Sequence, residues 1–234
     1  MIEVVFFDAG ETLLHPHPSF PELFASVCRR RGVDVSADAV RVVQERLAPH
    51  LVELGEATGV EQPSLSPEGS RTFWSYLYRR FLAELRVADE SLVGELYETF
   101  SHISSWKLYD DALPALSALA ERGYRLGLIS NFERWLEELL VELEVGDVFD
   151  FTVISGVEGT EKPDPAIYKI ALERAGVDAG RAVHVGDSPT FDVAPASSLG
   201  IATVLVDRVE RYPHAEGLKV RSLEEVPGLV ARLG

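Results

Sequence analysis

The chain has 234 residues, 46% of them hydrophobic, and a formal net charge of −16; it is long enough for a sizeable core with a smaller domain inserted, and its composition is not that of a disordered protein. So acidic a surface repels nucleic acid and anionic membranes, and leaves room only for a local site for a small anion. No apolar run approaches the roughly 20 residues that cross a bilayer, and the opening MIEVVFFD has no basic segment ahead of an apolar one, so a cytoplasmic protein is expected, with neither nucleic acid nor membrane as partner.

Residues 3 to 7 form a Val/Phe-rich run that reads as a buried strand ending on Asp8 and a Gly-containing turn, within VVFFDAGETLL. His15 and His17 follow, where one pattern gives way to another, and are expected at a hinge or on the surface. Residues 16 to 104 contain no strand-like run. They show helical spacing instead: Phe20, Phe24 and Val27; Val40, Val43, Leu47 and Leu51; then Phe73, Leu77, Phe81 and Leu85 on a helix from Ser70 to Leu85; and a last helix from Ser91 to His102. The stretch Gly55 to Gly69, with Pro63 and Pro67, reads as the loop joining two halves of an all-helical insert. The single Cys28 has no disulfide or zinc partner and reads as a small buried residue. Arg29, Arg30 and Arg31 read as a solvated helix end, and Arg71, Trp74, Arg79 and Arg80 lie on the third helix, where nothing picks out one that meets a substrate.

From about residue 105 strands and helices alternate. Apolar runs at 125–130, 150–154, 182–186 and 202–206 read as strands, and helices are expected over Ala112–Arg122, Glu133–Leu143, Pro165–Ala175 and Ala194–Leu199, three of them stopped by Gly123, Gly176 and Gly200. Ser222 and Glu225 have the spacing of a capping box that opens the last helix. The alternation argues for an α/β fold, a doubly wound parallel sheet. Its strand ends carry polar groups: Asp8, then Ser130 and Asn131 in RLGLISN, Lys162 in GTEKPDP, and Asp187 and Asp192 in AVHVGDSPTFD. A parallel sheet gathers such ends into one crevice. His184, inside its strand, is expected buried and hydrogen-bonded, Asp164 as a helix cap, and Tyr168 as packing. Scarce asparagine and glutamine, with arginine well above lysine, fit a thermophilic source, a bias that genome base composition also produces.

Taken together and in this order, DxxxT from Asp8 to Thr12, SN at Ser130–Asn131, KPDP from Lys162 and GDxxxxD from Gly186 to Asp192 resemble the haloacid-dehalogenase-like (HAD) hydrolase superfamily over almost the whole chain. The resemblance implies a Rossmann-like core of residues 1–15 and 105–234 and a helical cap of residues 16–104 that closes over the site. It implies a Mg2+-dependent hydrolase, most often a phosphatase, acting on a small phosphorylated metabolite. Asp8 would be the nucleophile, forming an aspartyl phosphate. Asp8, Asp187 and the carbonyl of Gly10 would hold Mg2+, with Asp192 binding it directly or orienting a ligated water. Ser130 and the backbone amide of Asn131 would hold phosphoryl oxygens, Lys162 would balance their charge, and Thr12 would hydrogen-bond within the nucleophile loop.

One position departs from the pattern. The family's phosphatases carry a second aspartate two residues after the nucleophile, where this chain has Gly10. The missing group is the general acid and base, worth about 10²- to 10⁴-fold in rate. Three readings therefore stand: a phosphatase with a non-standard acid and base, for which Glu11 is the neighbouring substitute; a 2-haloacid dehalogenase, whose leaving halide needs no proton; and a catalytically weak phosphate-binding regulatory module.

Overall fold

Four consecutive residues without solvent exposure make β1 (Val4–Phe7), as a strand covered on both faces requires. In the computed structural model, which describes residues 1–234, a short β2 (Leu14–Pro16) then leads into helices. Ser19 caps α1 (Phe20–Arg30) by accepting the Glu22 N–H, and Ser36 caps α2 (Ala37–Leu47) through the Ala39 N–H. The apolar stripe of α2 was expected to reach Leu51, but the helix stops at Leu47. Pro49 supplies no amide hydrogen, the turn Ala48–His50 tightens to a 3-10 helix, and α3 (Leu51–Glu56) leaves Leu51 exposed. The long α4 (Pro67–Glu84) starts ahead of its apolar stripe, at a proline in the first turn behind the Ser66 cap. The last helix of this unit, α5 (Ser91–Phe100), ends short of His102.

Strand β3 (Trp106–Leu108) pairs with β2. There follow α6 (Ala112–Ala120), β4 (Arg125–Ser130), α7 (Leu136–Glu142), β5 (Phe151–Ile154), the single turn α8 (Ser155–Glu158), α9 (Pro165–Ala175), β6 (Ala182–Gly186), α10 (Ala194–Ser198), β7 (Ala202–Val206), β8 (Leu218–Val220) and α11 (Val226–Leu233). Gly176 ends α9 in a left-handed conformation, Asp164 caps its start, and the Ser222–Glu225 capping box is formed. The box opens a 3-10 turn that runs into α11. Helix α7 starts at Leu136 and not at Glu133, because the backbone of Phe132 is tied to Ser155 Oγ and to the Gly156 N–H. Strand β8 was not foreseen; it is three residues long and two of them are exposed.

The six main strands form one parallel sheet in the order β5-β4-β1-β6-β7-β8. Val4, Phe6, Ile129 and Val153 face one way and pack on Ile167, Tyr168 and Ala171 of α9 and Ala196 of α10. Their alternating neighbours Val5, Phe7, Leu126 and Leu128 point to the opposite face and are equally buried, on the side where α6 packs on β4 and α11 on α6. By contact the chain divides into two units, Met1–Leu14 with Leu108–Gly234, and His15–Lys107. The second has its own core, in which the Phe20 ring meets Phe24, Phe81 and Phe100 at 6.0, 5.3 and 4.9 Å, with Cys28, Val40, Leu92 and Leu96 around them. Burial lifts the Cys28 thiol to about 11.

Candidate active site

The strand order reverses direction at β1: the chain extends first to β4 and β5 on one side, then crosses to β6, β7 and β8 on the other. Parallel sheets open a crevice at the carboxyl ends of strands flanking such a point. Register pairs Phe7 with Leu128 and with Val185. Asp8 just past β1, Ser130 at the end of β4 and Asp187 just past β6 therefore leave the sheet at nearly one level.

Lys162 arrives from the turn before α9 and is almost wholly buried, at 3% exposure. Its Nζ donates to Asp8 Oδ1 at 2.6 Å and to Asp192 Oδ1 at 2.7 Å. Ser130 Oγ donates to the same Asp8 Oδ1 at 3.2 Å. The Asn131 side chain does not reach these groups. It clamps the main chain of Lys162, donating to its carbonyl and accepting its N–H, both at 2.7 Å. Asp192 lies in a π-helical turn, Pro189–Val193. There its Oδ1 also meets His184 Nε2 at 3.0 Å and its Oδ2 accepts the Ser188 N–H at 3.0 Å. The carboxylate folds back against the strand because Gly186 has no Cβ; an added one would stand 2.3 to 2.6 Å from the Asp192 side chain. Carboxylate oxygens of Asp8, Asp187 and Asp192 lie within 4.8 Å of one another.

Three clustered acids and one lysine leave their mark on the protonation equilibria. Burial raises Asp8 above the usual carboxylate range, only partly offset by Lys162. Asp187 is pushed much further up, by burial and then by the charges of Asp192, Asp8 and Glu11. Burial acts the same way on Asp192, but Lys162 and His184 overcome it and hold that group well below the range. Lys162 is driven up despite its burial, by Asp192 and Asp8. Such a donor set, hard oxygens carrying more negative charge than one lysine balances, suits a divalent cation such as magnesium.

Two expectations are corrected. Thr12 is fully buried, but its Oγ1 makes no hydrogen bond to the protein, so it does not tie the loop after Asp8; that is done by the Leu13 and Leu14 N–H groups donating to the Ala9 carbonyl at 2.9 and 2.8 Å. The Asn131 side chain has the structural part just described, separate from the backbone amide expected at the phosphoryl oxygens. His184 is buried and bonded as foreseen, Tyr168 packs edge-on against it at 5.2 Å, and the Tyr168 hydroxyl donates to the Phe191 carbonyl. Arg30 and Arg31 are not merely solvated; both pair with Glu95.

The partners of Glu11 in a flanking cluster escaped the sequence. Tyr109 OH donates to Glu11 Oε2 at 3.0 Å, and the Arg208 guanidinium lies 3.8 Å over the Tyr109 ring. Arg208 is itself fixed by Asp111 at 2.8 and 2.9 Å and donates to the Thr12 carbonyl at 2.9 Å. Glu11, Tyr109, Asp187, Arg208, Arg211 and Tyr212 line one cleft. Glu11 has φ +60°, in the left-handed region. An arginine 196 residues from its acceptor carries no local signal.

The sheet order and the lysine-bridged acids at its switch point define a Rossmann-like hydrolase. A family model described as haloacid dehalogenase-like hydrolase matches residues 2–200, and the chain belongs to that family. It is 30% identical to haloacid dehalogenase-like hydrolase domain-containing protein 3 of Danio rerio, across 98% of this chain and 95% of the relative. It is also 30% identical to the glyceraldehyde 3-phosphate phosphatase of Methanopyrus kandleri, across 97% and 91%. Among solved structures, a 2-haloacid dehalogenase from Pseudomonas syringae is similar at TM-score 0.63 and 26% identity, with both chains covered completely.

Proposed function

We propose that the protein is a magnesium-dependent phosphatase of a small phosphorylated metabolite, working through an aspartyl phosphate on Asp8. The observation that carries this reading is the convergence of Lys162 and Ser130 on one oxygen of Asp8, with Asp187 alongside. Two donors on Oδ1 fix the plane of the carboxylate and present its other oxygen to an electrophile. A haloacid displacement would gain nothing from the further carboxylate of Asp187, half-buried beside two fully buried ones, a crowding that is costly unless a cation is held there. Relatives named as glyceraldehyde 3-phosphate phosphatases support the substrate class.

Asp8, Asp187 and the Gly10 carbonyl would hold the metal, and Asp192, with both oxygens engaged by protein donors, would orient a ligated water. Bound magnesium would neutralise charge on the phosphoryl oxygens. Asp8 attacks phosphorus in line with the leaving oxygen. Lys162, Ser130 and the backbone amide of Asn131 hold the equatorial oxygens and stabilise the charge that spreads over them. Water then attacks the aspartyl phosphate, releasing phosphate and restoring Asp8. Asp8→Asn keeps the shape but removes the nucleophile, and is expected to abolish hydrolysis of p-nitrophenyl phosphate in magnesium. A variant as fast as the parent would refute the reading.

A further inference from the structure

Positions 10 and 11 are occupied against backbone preference. Gly10 is not in the left-handed region, and an added Cβ would meet only the edge of the Phe132 ring at 3.6 Å, an ordinary contact. Glu11, one residue later, holds φ +60°, a conformation in which glycine is relaxed and a longer L side chain is strained. The glycine thus sits where the backbone does not ask for one, and a carboxylate sits where it does. Strain kept in a site points to use of the strained group.

What surrounds Glu11 is built to hold it. Its Oε2 accepts the Tyr109 hydroxyl. Burial and the Glu11 charge keep that hydroxyl protonated far above the normal range, so Tyr109 remains the donor. Arg208 lies over the Tyr109 ring, clamped by Asp111 and bonded to Thr12 of the nucleophile loop. Glu11 and Asp187 line the same cleft.

We infer that Glu11, positioned by Tyr109, is the catalytic acid and base of this enzyme, in the place that Gly10 leaves empty of a carboxylate; the inference rests on the phosphatase reading above. In the first half-reaction the P–O bond to the alcohol breaks as Asp8 bonds to phosphorus, and the Glu11 carboxyl gives its proton to the departing oxygen, leaving free alcohol and a Glu11 carboxylate. In the second, that carboxylate takes a proton from the water whose oxygen attacks phosphorus. The Asp8–P bond breaks, inorganic phosphate leaves, and Glu11 is protonated again.

The test compares glycerol 3-phosphate, whose alkoxide needs a proton, with p-nitrophenyl phosphate, whose phenolate does not. Glu11→Gln is expected to lower kcat on glycerol 3-phosphate by about 10²- to 10⁴-fold with KM little changed. On p-nitrophenyl phosphate it should give a rapid release of nitrophenolate stoichiometric with enzyme, then slow turnover limited by dephosphorylation. Glu11→Gly relaxes the backbone, guards against misfolding, and should behave alike. Tyr109→Phe should lower kcat more for the alkyl than for the nitrophenyl ester, a split that a merely structural part would not produce. Should both Glu11 variants hydrolyse glycerol 3-phosphate at the parental kcat while Asp8→Asn is dead, the inference is overturned and the phosphatase reading stands. A parent protein that hydrolyses only the nitrophenyl ester would overturn it as well. Full activity in Asp8→Asn would remove both.

Discussion

Replacing Lys162 by Met keeps most of the side-chain volume and deletes the charge. At 3% exposure, with Nζ 2.6 and 2.7 Å from Asp8 and Asp192, the lysine is the cation that makes two buried carboxylates tolerable. Removing one partner of a buried ion pair typically costs about 3–5 kcal/mol, because the remaining charge is stranded away from water. For a chain of this size each kcal/mol moves Tm by about 2–4 °C, so Lys162→Met should melt roughly 6–20 °C lower in EDTA. Magnesium at a hundred times its Kd stabilises a folded protein by about 2.7 kcal/mol. Its effect should be larger in the variant, whose carboxylates lack their internal partner. Thermal melts of both proteins with EDTA and with magnesium measure all four quantities. A variant within about 1 kcal/mol of the parent in EDTA, a loss no larger than an exposed pair would give, would refute the reasoning. So would a smaller magnesium shift in the variant than in the parent.

Two further predictions concern protons. Burial and then the charges of Asp192, Asp8 and Glu11 hold Asp187 well above its ordinary value; a raised group stabilises the metal-free fold in acid and loses that contribution as pH rises through the folded value. In the proposed site magnesium would displace the retained proton, so its affinity should fall as pH is lowered. Titration calorimetry in buffers of differing ionisation enthalpy should show proton release that Asp187→Asn abolishes, and buffer-independent heats would contradict this. Asp111 shifts the other way: burial raises it, but Arg208, the Leu223 N–H and Ser222 prevail and hold it below the ordinary value. Its stabilisation is present above the unfolded value of about 3.9 and lost as pH falls through the lower folded one. Asp111→Asn should therefore be less stable than the parent at neutral pH, with urea midpoints that converge in strong acid; an equal gap at both ends would count against the pairing.

The core was legible because its signals are local. A buried parallel strand is a short apolar run, and β1, β4 and β6 lead into the polar residues of the candidate site. Serine, proline and glycine mark helix ends through their own geometry, as at Ser19, Gly176 and the Ser222–Glu225 box. What stayed hidden depends on contacts through space. The Asn131 clamp on Lys162 joins residues 31 apart, and nothing at Asn131 announces that its side-chain amide will hold a main chain. The Asp111–Arg208–Thr12 link is longer still. Glu11 is a different case, named from the sequence as the neighbouring substitute but without its setting. Its neighbour's lack of a carboxylate was plain, but the left-handed backbone and the hydroxyl that receives it exist only once β1 turns and Tyr109 arrives. Leu51 was lost to a single proline, which outweighs an apolar stripe of any quality.

The central lysine is shared unequally in one respect that distances do not reveal. Asp192 is held from every side, by the Ser188 N–H, by His184 and by the missing Cβ of Gly186. Asp192 therefore sets where the ammonium stands, and Asp8 meets it there. The difference matters in the proposed cycle, because Asp8 gives up its own charge on forming the acyl phosphate. A lysine placed by Asp8 alone would be released at that moment. Placed by Asp192, it stays where the phosphoryl oxygens are, with no reorganisation between the two half-reactions. The fixed acid is the reason the mobile charge can be spent.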